Sequence, residues 1–64
     1  MHVDTRVERI RTRLAERPQS SYELDGRGAL WRTLMDGLAH GYVRVTGTRN
    51  AQLVFELTPG GPWA

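Results

Sequence analysis

Hydrophobic and polar positions alternate along this chain in two different periods. From Ala29 to His40, the apolar residues Leu30, Trp31, Leu34, Met35 and Leu38 fall on one broad arc at 100° per residue, while Arg32, Thr33, Asp36 and His40 point away. That pattern predicts a helix, and Gly41 supplies a stop that tolerates positive φ. The period then drops to two: Tyr42-Val43-Arg44-Val45-Thr46 and Leu53-Val54-Phe55-Glu56-Leu57 read as short strands around a turn region at Gly47-Thr48-Arg49-Asn50. Upstream, Val3, Val7, Ile10 and Leu14 make a narrow stripe that predicts a helix from about Thr5 to Arg17. Thr5 and Glu8 fit a capping box at its start, and Pro18 ends it by disfavouring helical backbone at Arg17.

Between the two helical patterns, Gln19 to Arg27 is hard to place. Ser20-Ser21 can start a turn, Tyr22-Glu23-Leu24 is too short to favour helix or strand, and Asp25-Gly26-Arg27-Gly28 reads as a flexible connection. Gly26-x-Gly28 lacks a third glycine and a preceding strand, so it is not a nucleotide-binding fingerprint. The last residues, 59–64, read as a flexible tail unless Trp63 docks on the body or on another subunit. The expected core is Val7, Ile10, Leu14, Leu30, Trp31, Leu34, Leu38, Val43, Val45, Phe55 and Leu57. The whole chain therefore reads as one α+β domain, a small winged-helix-like unit of two helices followed by a β-hairpin wing.

Length makes this domain a thin one: 64 residues bury only about 60% of the unfolded surface. The chain has no cysteine, which excludes disulfides, thiolate metal sites and a cysteine nucleophile. Its two histidines, His2 and His40, lack a carboxylate cluster that would complete a metal site, so no metal or cofactor is expected. No apolar run approaches the length of a membrane span and the polar start lacks a signal-peptide core, which leads to a cytoplasmic expectation. The net charge is only +2, but all nine basic residues are arginine. GC-rich coding explains that bias, while arginine's planar fork also suits phosphate and guanine.

Candidate chemistry is sparse. No carboxylate pair sits in an apolar context and Ser20, Ser21 and His40 form no recognisable nucleophile–base set, so an enzyme is not expected. His40, near a helix end, suits capping and the helix dipole. Arg6, Arg9, Arg13 and Arg17 form a basic ridge on the first helix that is either a solvated face, partly neutralised by Glu8 and Glu16, or a contact for phosphate or an acidic partner. For duplex DNA the best-placed residues are Arg27, Arg32 and Thr33 at the start and exposed face of the second predicted helix, with Arg44 and Arg49 on the hairpin against the backbone. The competing reading pairs Arg27 and Arg32 with Asp25 and Asp36. A protein-interaction module that binds a protein partner on the same scaffold is the alternative function. Trp63, Trp31 and Val54 add more apolar surface than one hairpin covers, which predicts a homodimer.

Several segments resemble PadR-like transcriptional regulators. Leu14-Ala15-Glu16-Arg17-Pro18 followed by Tyr22-Glu23-Leu24 is similar to the end of that family's first helix and the start of its second. Gly28-Ala29-Leu30-Trp31-Arg32-Thr33-Leu34 is similar to the Gly-Thr-Leu-Tyr segment that opens its recognition helix. Leu38, Gly41-Tyr42-Val43 and Leu57-Thr58-Pro59-Gly60-Gly61 are similar to the residues around its wing. The resemblance implies a winged helix that binds double-stranded DNA in transcriptional control. Two departures accompany it: only three residues lie between Leu24 and Gly28, where the family has most of a helix and a loop, and the family's dimerisation helix falls outside these 64 residues.

Overall fold

The computed structural model describes residues 4–64, so the expectations that involve His2 and Val3 lie outside the described residues. Five elements follow in order: α1 (Thr5–Glu16), α2 (Ser21–Leu24), α3 (Trp31–Ala39), β1 (Val43–Arg49) and β2 (Gln52–Leu57). Among the described residues the chain is α+β, three helices followed by a two-stranded antiparallel hairpin, and the hairpin extends as a wing from the helices. The third helix is α2, in the segment the sequence left unassigned. It forms because Ser20 and Glu23 cap each other: the Glu23 amide donates to Ser20 Oγ at 3.2 Å and the Ser20 amide to Glu23 Oε1 at 3.0 Å.

α1 is capped one residue earlier than expected. Asp4, not Thr5, accepts from the amides of Arg6 and Val7, at 3.0 and 3.4 Å, since a carboxylate at the cap takes two of the orphan donors. At the other end, extended backbone at Arg17 before Pro18 stops the helix as predicted. The carbonyls left open there are met by Gln19, whose buried side chain donates from Nε2 to the Arg13 carbonyl at 2.7 Å. The backbone of Gln19 exchanges two hydrogen bonds with Phe55, at 3.0 and 2.8 Å, so a single bridge adds a third line of pairing to the hairpin. One residue thus ties α1's end to the sheet.

α3 ends as the sequence predicted. Gly41 sits at φ +76°, the Tyr42 amide donates to Gly37 O at 2.7 Å, and the Gly41 amide donates to Leu38 O at 3.1 Å. This is the paired closure that leaves few helix carbonyls open. The Nδ1 of His40 also bonds the Asp36 carbonyl, at 2.8 Å.

Both strands are longer than expected. They run to a two-residue turn at Asn50-Ala51, where both residues have positive φ (53° and 62°). That is the signature of the hairpin turn whose twist matches the strands. Gly47, expected in the turn, lies inside β1 just after a bulge at Thr46.

The core comprises Ile10, Leu14, Leu24, Leu30, Leu34, Val43 and Phe55, with Met35, Leu38, Leu57 and Trp63 packed at its edge. α1 packs against α2, α3 and β2 and so forms the floor. Three expected members are not in it: Val7 is half-buried and outside the cluster, Trp31 is 47% exposed and Val45 41%. Val45 lies directly across the hairpin from Phe55, on the outer strand away from the Gln19 bridge. Trp31 is displaced because the buried stripe of α3 runs through Leu30, Leu34 and Gly37 rather than through Leu30 and Trp31 together. Gly37 is buried because Trp63 lies on it: a Cβ there would come within 2.5 Å of the indole. The indole also packs on Tyr42 with ring centroids 5.3 Å apart, and Arg11 Nε donates to the Trp63 carbonyl at 3.1 Å. The tail therefore takes the docked alternative.

Candidate nucleic-acid interface

The five residues expected to touch DNA separate into two groups. Arg44 lies directly across the hairpin from Glu56 and pairs with it. Arg49, at the end of β1, reaches back to α2 and places Nη1 2.9 and 2.8 Å from the two oxygens of Glu23. Both wing arginines are thus already met by a carboxylate. Glu23 is held below the usual carboxylate range, first by the Ser20 amide and then by the Arg49 guanidinium, while partial desolvation pulls the other way.

At the start of α3 the arrangement is the reverse. Arg32 and Thr33 line a groove with Ala29 and with Arg6 from α1, and no acidic side chain lines it. Arg6 was expected only in the ridge of the first helix, and the packing of α1 against α3 brings it here. Arg27 lines a second groove with Ser21, Tyr22, Gly28, Trp31 and Gln52, again without an acid. Among the described residues the ion pairs are Arg11–Glu8, Arg44–Glu56 and Arg49–Glu23, so neither Arg27–Asp25 nor Arg32–Asp36 forms. Asp25 instead accepts the backbone N–H of Arg27 at 3.0 Å, which leaves the guanidinium to solvent. Backbone polarity favours anions at the same end. Leu30 provides no side-chain cap for α3, and the first amides of that helix carry its partial positive charge.

No family model, curated protein or solved structure matches the chain. Among the described residues no three metal-ligating side chains come together, and no helix is long and apolar enough to cross a membrane. Of the apolar residues that suggested a dimer, Val54 is buried within the chain and Trp63 is docked on Gly37, which leaves Trp31 with Tyr22, Val45 and Leu53 as the exposed large apolar side chains. Tyr22 was not among the site residues expected from the sequence. Its only signal was proximity to Ser20 and Glu23, whose spacing sets a helix turn under it.

Proposed function

We propose that this chain is a duplex-DNA-binding module of winged-helix type, acting in transcriptional control, that presents the start of α3 to the major groove. The observation that carries the reading is the groove in which Arg32 and Thr33 meet Arg6 with no carboxylate among its lining residues. Recognition helices use their N-terminal residues on base edges, and an arginine fork suits guanine. Arg32 takes that role, Thr33 offers a hydroxyl to base or phosphate, and Arg6 reaches the adjacent backbone. Arg27 flanks the same end. Arg44 and Arg49, expected on the backbone, contribute less because each would have to leave a carboxylate to reach a phosphate. The order helix, bridge, short helix, helix, hairpin and the segments that resemble PadR-like regulators support the same reading.

Binding to a random duplex, measured by fluorescence anisotropy at two salt concentrations, tests it. Affinity that falls as salt rises supports the reading. Absence of binding at low salt removes it. A second reading, docking to a protein partner, draws on Val45 and Leu53, 41% and 44% exposed on the hairpin. A partner whose capture is lost on mutating those two residues, with no duplex binding, would favour it.

A further inference from the structure

We propose that the groove between α2, the start of α3 and the wing also binds single-stranded DNA, with one unpaired base between Tyr22 and Trp31 and its phosphate on Arg27. The proposal goes beyond duplex binding: it shares the arginines of that reading but adds Tyr22, Trp31 and Gln52, which have no part in it. Tyr22 and Trp31 are 57% and 47% exposed, in a domain whose Phe55 is fully buried. They line one cavity of about 470 Å³ from two helices, a volume in the range of small-ligand sites. The aromatic pairs of the described residues are His40–Tyr42 and Tyr42–Trp63, so Tyr22 and Trp31 do not stack on each other across the cavity they line.

Both walls are referenced to one residue. The Tyr22 ring lies over Gly28, where a Cβ would stand 3.5 Å from Cε1, and the Trp31 amide donates to the Gly28 carbonyl at 3.2 Å. Gly28 holds φ +69°, a backbone conformation that a side chain would strain. The turn at Gly28 therefore positions both aromatic residues at the cavity.

Charge selects the guest. Arg27 lines this cavity without a carboxylate partner, and Arg32 and Arg6 line a second groove at the start of α3, charges suited to a phosphate backbone. Gln52 adds an amide that can donate and accept at a base edge. Aromatic platforms beside a basic track are the recurring means of holding single strands, and base stacking tolerates any sequence. A paired base inside a duplex does not expose its face, so the strand must be unpaired.

The test is anisotropy of a labelled oligothymidylate about ten nucleotides long, in the range such grooves cover, at low salt. An abasic strand of the same length, thymidine monophosphate as competitor and a duplex are measured in the same buffer. Oligothymidylate should bind, and the abasic strand about tenfold or more weakly. Tyr22→Ala and Trp31→Ala should each weaken binding by about 5- to 150-fold, the range of one lost base stack, while Trp31→Phe retains most of it. Equal affinity for the abasic strand overturns the proposal without recourse to any variant. No binding at low salt, indifference to both alanines, or monophosphate competing as well as the strand would also overturn it. The duplex arm keeps this proposal apart from the preceding one, since either can hold when the other fails.

Discussion

The start of α3 and the hairpin carry the same cation under opposite conditions. On the hairpin, Arg44 and Arg49 each meet a carboxylate, one across the strands and one on α2. At the start of α3, Arg32 shares a groove with Arg6 and no acid intervenes. The backbone differs as well. α3 is held from beneath by Leu30 and Leu34, from the side by Trp63 on Gly37, and at its end by the Gly41 closure. The hairpin turns through Ala51 at φ 62°, an unfavourable conformation for a residue with a Cβ. A rigid element thus bears the free charges and a more strained one bears the neutralised charges. In a recognition surface the rigid element is the better carrier of directional contacts, because less ordering remains to be done on binding.

The largest expected effect breaks the rigid side of this contrast. Leu34 is fully buried beneath α3, and Leu34→Ala should cost about 2–5 kcal/mol, a large part of so small a domain's stability. Thermal or urea unfolding measures it, and an unchanged melting temperature would remove Leu34 from the core. Gly37→Ala comes next and its sign is diagnostic. In an ordinary helix interior the change gains about 1 kcal/mol. Here the new Cβ meets the Trp63 ring, so a loss of about 1–3 kcal/mol is expected from overpacking. Stabilisation would show that the tail does not rest on α3.

On the hairpin side, Ala51→Gly should stabilise by about 0.5–1 kcal/mol, because glycine adopts positive φ freely. A loss on chemical unfolding would contradict the turn geometry. The smallest effect concerns Glu23. Its lowered pKa means that the folded carboxyl gives up its proton more readily than the unfolded one, so the unfolded chain binds more protons across that window. The stabilisation is present above the ordinary carboxylate range and is lost as pH falls through the lowered value. Melting curves of wild type and Glu23→Gln should therefore differ at neutral pH and converge in acid. A gap that widens in acid would give the wrong sign.

Much of this fold was legible because its signals are local. The stripe of Ile10 and Leu14, the stop at Pro18, the glycine closure at Gly41 and the alternation around Phe55 each follow from spacing within a few residues. The short α2 was also local, since Ser20 and Glu23 stand at capping-box spacing, but only four residues follow the cap and no apolar period confirms them. The turn was misplaced because glycine at Gly47 suggested it, whereas the chain turns on Asn50 and an alanine that carries no turn signal. Trp31 was assigned to the core because periodicity cannot count a glycine as buried. Gly37 is buried only because a tryptophan 26 residues later lies on it.

The candidate site was less legible for the same reason. Sequence shows how many arginines there are and on which elements, but pairing depends on which carboxylate the tertiary fold brings near. Arg49 with Glu23 and Arg6 beside Arg32 both join elements far apart in the chain.

We propose that the unpaired arginines at the start of α3, and not the paired arginines of the wing, carry duplex binding. A salt titration of duplex affinity for Arg6→Ala, Arg32→Ala, Arg44→Ala and Arg49→Ala tests it most directly. Arg6→Ala should flatten the dependence of log affinity on log salt by about 0.9 for its lost phosphate contact. Arg32→Ala should cost about 1–3 kcal/mol and relax any sequence preference. Arg44→Ala and Arg49→Ala should leave both affinity and slope close to wild type. Losses confined to the wing variants, with Arg6→Ala and Arg32→Ala binding as wild type, would contradict the claim.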